Sequence, residues 1–130
     1  MYTRILVVDD EPGLARTLVA IFQLSGYTAS AVYSAEEALT SIAACRPSLV
    51  VSDVIMPGMD GIAMTKIIRK SYPDCPVLLF SGNADTQDLL EAARQEGHAF
   101  EVLAKPVPPP QMLAKVASLL NQNSSCLSQG

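Results

Sequence analysis

The chain has 130 residues, 49% of them hydrophobic and 17% charged, so it is long enough for one core and too apolar for a disordered segment. Its formal net charge of −4 disfavours direct binding to nucleic acid. Three cysteines without metal-ligand spacing indicate free thiols, and neither a signal peptide nor a membrane-length apolar stretch is present. We therefore expect a cytoplasmic protein with one domain over residues 1–121 and a flexible tail over 122–130.

The first part of the chain predicts two strand and helix units. Residues 5–8 form a continuous apolar run, which is typical of a strand buried on both faces. Pro12 favours a first helical turn, and apolar residues recur at helical spacing from there until Gly26. Residues 28–32 are compatible with a second strand, and Ser34 begins a capping box that starts a second helix.

Three further units follow in the rest of the chain. The predicted strands cover residues 49–52, 77–80 and 100–104, and the predicted helices cover about 62–70, 85–95 and the stretch from the prolines at 108–110 to residue 120. Strands that alternate with helices favour an α/β fold. We predict a doubly wound, five-stranded parallel sheet of flavodoxin-like order 2-1-3-4-5 with five helices.

Polar residues end or follow four of these strands. They are Asp9, Asp10, Asp53, Ser81 and Lys105. In open α/β sheets the binding crevice lies beyond the carboxyl ends of the strands, so the prediction brings these side chains to one edge. Three carboxylates without a cation would repel one another, and an oxygen-only set of ligands is typical of a Mg2+ site.

The same edge has the residues needed for phosphoryl transfer. An aspartate such as Asp53 can attack phosphorus and form an aspartyl phosphate. Catalysis of that step consists mainly of positioning and of neutralising the phosphoryl oxygens, which Lys105 and Mg2+ could do. Ser81 could donate a hydrogen bond to the phosphoryl group and so couple modification to movement of its loop.

The sequence resembles a known family in segments that follow one another in the expected order. They are Val7-Val8-Asp9-Asp10-Glu11, Asp53-Val54-Ile55-Met56-Pro57-Gly58-Met59-Asp60-Gly61, Ser81-Gly82 and Lys105-Pro106. Over nearly its whole length the chain is similar to the receiver domains of two-component response regulators, in the manner of single-domain chemotaxis regulators.

The resemblance implies a metal site and a phosphorylation site. Asp10 would bind Mg2+ directly, Asp9 through water, and Asp53 and the carbonyl of Ile55 would complete the protein ligands. Asp53 would accept the phosphoryl group from a sensor histidine kinase or a phosphotransfer protein. Lys105 would pair with that group, and its bond to the following proline would be cis.

By the same resemblance the chain would be a signalling switch and not an enzyme, although it would promote its own phosphorylation and dephosphorylation. Ser81 would be the switch hydroxyl, and a downstream protein would bind the face formed by helix four, strand five and helix five. Val102 stands where the family usually has an aromatic switch residue, and the question whether Phe100 replaces it stays open.

Two other functions are compatible with parts of the pattern. A small phosphatase that uses Asp53 as its nucleophile would need an acid two residues later, where this chain has Ile55. A degenerate receiver that acts only as a docking module would not need the acidic pair together with Asp53 and Lys105.

Overall fold

The computed structural model describes residues 3–82, 90–92, 94–97 and 100–129, with side chains as far as residue 121. The strands are β1 (Arg4–Val8), β2 (Thr28–Val32), β3 (Leu49–Asp53), β4 (Val77–Ser81) and β5 (Glu101–Ala104). The helices are α1 (Pro12–Leu24), α2 (Ala35–Ala44), α3 (Gly61–Ser71), a segment α4 in which residues 90–92 and 94–95 are helical, and α5 (Pro109–Gln129). No helix among these described residues is long and apolar enough to cross a membrane.

All five strands form one parallel sheet in the order β2-β1-β3-β4-β5. This order confirms the predicted doubly wound fold and places β1 and β3 side by side at the centre. Because the strands are parallel, the residues that follow them meet at a single edge of the sheet.

Both faces of the sheet are covered, as the unbroken apolar runs of the strands predicted. Alternate residues of each strand enter opposite cores: Leu6 packs on the side of α2 and α3, whereas Val7 packs on the side of α1 and α5. The second core contains fully buried Phe22 of α1 and Val116 of α5. The central strands are therefore held from both sides.

Local signals in the sequence mark the starts of three helices. The Ser34 hydroxyl oxygen accepts a hydrogen bond of 3.0 Å from the Glu37 amide at the start of α2, which confirms the predicted cap. Asp60 caps α3 in the same way, since its Oδ1 accepts 2.8 Å from the Ala63 amide. Pro12 is the first residue of α1, where its lack of an N–H costs nothing.

A few boundaries differ from the prediction. β1 begins one residue earlier than expected, β4 extends to Ser81, and β5 begins at Glu101, not at Phe100. The first part of the predicted fourth helix, residues 85–89, lies outside the described residues. The backbone of α5 continues beyond residue 121 as far as Gln129, and the flexible tail over 122–130 stays a prediction.

Candidate phosphoryl acceptor and metal site

Three carboxylates lie together at the carboxyl edge of the central strands. β1 and β3 are neighbours with Val8 opposite Ser52, so the aspartates that follow β1 face the one that ends β3. Asp9, Asp10 and Asp53 each offer an oxygen within 4.8 Å of the others. The grouping that was expected from the strand ends is therefore present in the structure.

Asp9 is the most enclosed member of this cluster. Only 2% of its surface is exposed, and its Oδ1 accepts a hydrogen bond of 2.9 Å from the Glu11 amide. Burial raises the pKa of Asp9, the hydrogen bond from Glu11 opposes that rise, and the negative charge of Asp53 adds to it. The Asp9 carboxylate is therefore costly to ionise unless a cation is nearby.

Lys105 brings a positive charge directly to the cluster. Its Nζ lies 2.9 Å from Oδ2 of Asp53. The Lys105 side chain is 28% exposed and the Asp53 side chain 16%. The Lys105 amide donates a hydrogen bond of 2.8 Å to the Ser81 carbonyl, which fixes the start of the loop after β5 beside the end of β4. The peptide bond between Lys105 and Pro106 is cis, as the resemblance implied.

Ser81 is the last residue of β4 and is 4% exposed. The preceding residue, Phe80, lies opposite Asp53 in the register between β3 and β4. The serine is thus placed one residue beyond the partner of Asp53, at the same edge of the sheet. Asn83, two residues after Ser81, lies outside the described residues.

Gly61 is a part of the site that the sequence did not single out. The first residue of α3 approaches the end of β3 so closely that an added Cβ would lie 2.3 Å from the Asp53 carbonyl oxygen and 3.1 Å from the Val54 Cα. The Gly61 amide also donates a hydrogen bond of 2.8 Å to the Val54 carbonyl. Only glycine allows this approach, because every other residue would place a carbon atom there.

The cluster fits a divalent cation such as Mg2+. Its donors are all carboxylate oxygens, which Mg2+ prefers, and the buried Asp9 lies beside two further acidic side chains, while the nearby Lys105 ammonium pairs with Asp53. A cation there would offset the cost of burying that charge. The carbonyl of Ile55 stays a predicted ligand; the side chain of this residue is 42% exposed.

The family model for the response regulator receiver domain matches residues 5–117 of the sequence. The chain belongs to this family. The match covers the sheet from the second residue of β1 to the end of β5, and it contains all the residues of the candidate site.

Relatives and solved structures agree with this assignment. The chain is 32% identical over 123 residues to the DNA-binding response regulator MtrA of Mycolicibacterium smegmatis, which covers 95% of this chain and 53% of the relative. It is 36% identical over 102 residues to the C4-dicarboxylate transport transcriptional regulatory protein DctD of Rhizobium meliloti, with 78% of this chain and 22% of that protein covered. The receiver domain thus spans about half the length, or less, of these two curated relatives.

Among solved structures, a response regulator receiver domain protein from Clostridium thermocellum has a TM-score of 0.85 at 26% identity, with 95% of this chain and 98% of that chain covered. The signal receiver domain of a histidine kinase from Syntrophus aciditrophicus has a TM-score of 0.82 at 30% identity, with 92% and 91% covered. Similar receivers therefore occur in regulators and in kinases.

Proposed function

We propose that this receiver domain accepts a phosphoryl group on Asp53 from a sensor histidine kinase or a phosphotransfer protein in the cytoplasm. The observation that carries the proposal is the position of Asp53, which lies between a lysine ammonium at 2.9 Å and two further carboxylates. A carboxylate with a fixed cation on one side and a metal site on the other is suited to receive a phosphoryl group.

In the proposed reaction a carboxylate oxygen of Asp53 forms a bond to phosphorus while the bond from phosphorus to the donor's leaving group breaks. Lys105, which pairs with Asp53 before the reaction, would then neutralise an oxygen of the transferred group. Asp10, Asp53 and the Ile55 carbonyl would hold Mg2+ directly and Asp9 would hold it through water, and the bound ion would supply positive charge for the phosphoryl oxygens. Ser81 would donate a hydrogen bond to the transferred group and draw its loop inward.

We further propose that the signal leaves the domain through the face formed by α4, β5 and α5. Two contacts support this route. The hydrogen bond from Lys105 to Ser81 joins the phosphorylation edge to the end of β5. At the other end of that strand, Glu101 pairs with Lys115 of α5 at 2.6 Å. A shift at Ser81 would therefore be transmitted to β5 and, through the pair of Glu101 and Lys115, to α5.

The test is incubation with acetyl phosphate, followed by intact mass spectrometry. We expect one added phosphoryl group with Mg2+ and none with EDTA, and the product should be cleaved by hydroxylamine, as an acyl phosphate is. Asp53→Asn should abolish the addition, whereas Asp74→Asn, which changes an exposed carboxylate in the turn before β4, should not.

A second matched pair tests the lysine. Lys105→Met should slow or abolish the addition, whereas Lys115→Met should leave it unchanged, because Lys115 pairs with Glu101 and not with the site. Equal phosphorylation of the wild type and Asp53→Asn would refute the proposal. A hydroxylamine-resistant product would refute it as well, since it would indicate a modified hydroxyl group.

A further inference from the structure

A second polar site lies at the amino-terminal edge of the sheet, opposite to the carboxylate cluster. A cleft of about 110 Å³ opens between the starts of β1 and β2 and the end of α2. This volume has room for several water molecules, and therefore for a small polyatomic ion. The polar residues that line it are Arg4, Thr28, Ser30, Ser41 and Cys45.

The position of Arg4 in this cleft is well defined. Arg4 lies opposite Thr28 in the register of β1 and β2. Its amide donates a hydrogen bond of 3.2 Å to the Ser48 hydroxyl, and its carbonyl accepts one of 2.7 Å from the Ser48 amide. Arg4 is partly buried as a residue, and its side chain lines the cleft and contacts Cys45.

The guanidinium group of Arg4 lacks an anionic partner among the described residues. Within the described residues its side-chain hydrogen bond is to Cys45 Sγ, and a thiol is a weak acceptor. Arginine has five donors in a planar fork that matches the oxygens of a phosphate or a carboxylate. Most of the hydrogen-bond donors of the Arg4 guanidinium group therefore have no acceptor within the described part of the chain.

The other groups around the cleft also favour an anion. Thr28, Ser30 and Ser41 contribute hydroxyl groups that form no side-chain hydrogen bond within the described residues, and no acidic residue lines the cleft. Arg46 follows Cys45 directly, and its guanidinium group stacks 5.1 Å from the centre of the Tyr72 ring. Among the residues that line the cleft, Arg4 is the cationic one, in a chain whose formal net charge is −4.

We propose that this cleft binds a phosphate-sized oxyanion, with the fork of Arg4 donating to two of its oxygens and the hydroxyl groups of Thr28, Ser30 and Ser41 to the others. Such a contact is charge-assisted and bidentate, and so among the stronger hydrogen bonds available at a surface. The site does not depend on the proposed phosphorylation, because its residues lie at the edge of the sheet opposite to Asp53.

The test is an NMR titration of the complete 130-residue chain with inorganic phosphate, in EDTA and at constant ionic strength. We expect saturable shifts of the amides of Arg4, Thr28, Ser41 and Cys45, and these shifts should persist in Asp53→Asn. Arg4→Gln should weaken binding by about tenfold or more, the loss expected for a hydrogen bond to a charged group. Arg16→Gln, which changes an exposed arginine of α1 on the other face of the sheet, should have no effect.

Titration with glycerol phosphate separates a free ion from a phosphate ester. Equal affinities would identify the free oxyanion as sufficient, and tighter binding of the ester would identify a phosphomonoester as the ligand class. Ser41→Ala provides a second variant if Arg4→Gln does not fold, and it too should weaken binding. Shifts that do not saturate, that are unchanged by these variants, or that are confined to the carboxylate cluster would overturn the proposal.

Discussion

The substitution Gly61→Ala tests how tightly α3 packs against the proposed phosphorylation site. The added Cβ would lie 2.3 Å from the Asp53 carbonyl oxygen, which is 0.7 Å less than the 3.0 Å below which real Cβ atoms essentially never come. The neighbouring atom belongs to the backbone and cannot rotate away. Either the start of α3 or the end of β3 must move. Such a movement would disturb the packing of a buried region in which Val54 is fully enclosed.

Overpacking of this kind typically costs about 1 to 3 kcal/mol, and a backbone obstacle places Gly61→Ala near the upper end. For a domain of this size that loss corresponds to a fall in Tm of about 10 °C. Thermal unfolding followed by circular dichroism measures it. Because Asp53 is the last residue of β3, a shift of that strand end would displace it, and phosphorylation by acetyl phosphate should then also slow in folded Gly61→Ala protein.

Gly13→Ala is the matched control, since Gly13 lies in the first turn of α1 and an added Cβ would meet nothing within 4 Å. Alanine is favoured over glycine in helices by up to about 1 kcal/mol, so this variant should be as stable as the wild type or slightly more stable. The reasoning would be refuted if Gly61→Ala and Gly13→Ala had the same Tm.

Four further predictions concern the charge cluster, the thiols, for which there are two, and the Phe100 ring. In EDTA, Asp10→Asn should raise Tm by about 3 °C because it removes repulsion between carboxylates of the cluster. This difference in Tm should vanish when Mg2+ binds the wild type. Thermal unfolding scans that are the same for both proteins in EDTA would contradict a shared site. In a Cys126→Ser background a maleimide should label the exposed Cys45 but not Cys75. Cys75 is 5% exposed, and burial raises the pKa of its thiol from 9.0 to about 11. Since the folded state retains this proton while the unfolded state loses it, the free energy of unfolding should fall as pH rises from 9.0 towards 11, and Cys75→Val should reduce that fall. A structure with beryllofluoride and Mg2+ should show the Phe100 ring in its present rotamer, and a flipped ring would contradict this.

The fold could be predicted almost completely because its main determinant is local in sequence. β1, β3 and β4 contain short apolar runs, which are typical of strands buried on both faces, whereas β2 and β5 are partly exposed. Because these strands alternate with segments of helical periodicity, few topologies are possible. In a parallel sheet the polar residues that end or follow β1, β3, β4 and β5 then share one edge. The grouping of Asp9, Asp10 and Asp53 followed from this rule before any distance was known.

Features that depend on the distance between elements could not be predicted. Gly61 was one glycine in a turn cluster, and only the packing of α3 against β3 shows that a side chain there would collide with Asp53. The same holds for Arg4, whose position at a cleft depends on where α2 ends relative to β2. Sequence spacing gives neither of these distances.

The surroundings of Phe100 bear on whether its ring could act as an aromatic switch. Phe100 and Val102 both pack against the core between the sheet and the helices α2 and α3. The guanidinium group of Arg69 from α3 stacks 4.7 Å from the centre of the Phe100 ring, so a rotation of the ring would break a cation-π contact. Val102, which is closer to Lys105 in the sequence, has no ring to rotate. We therefore expect a signal from Asp53 to travel through Ser81 and the backbone hydrogen bond from Lys105, while Phe100 stays fixed between β5 and α3.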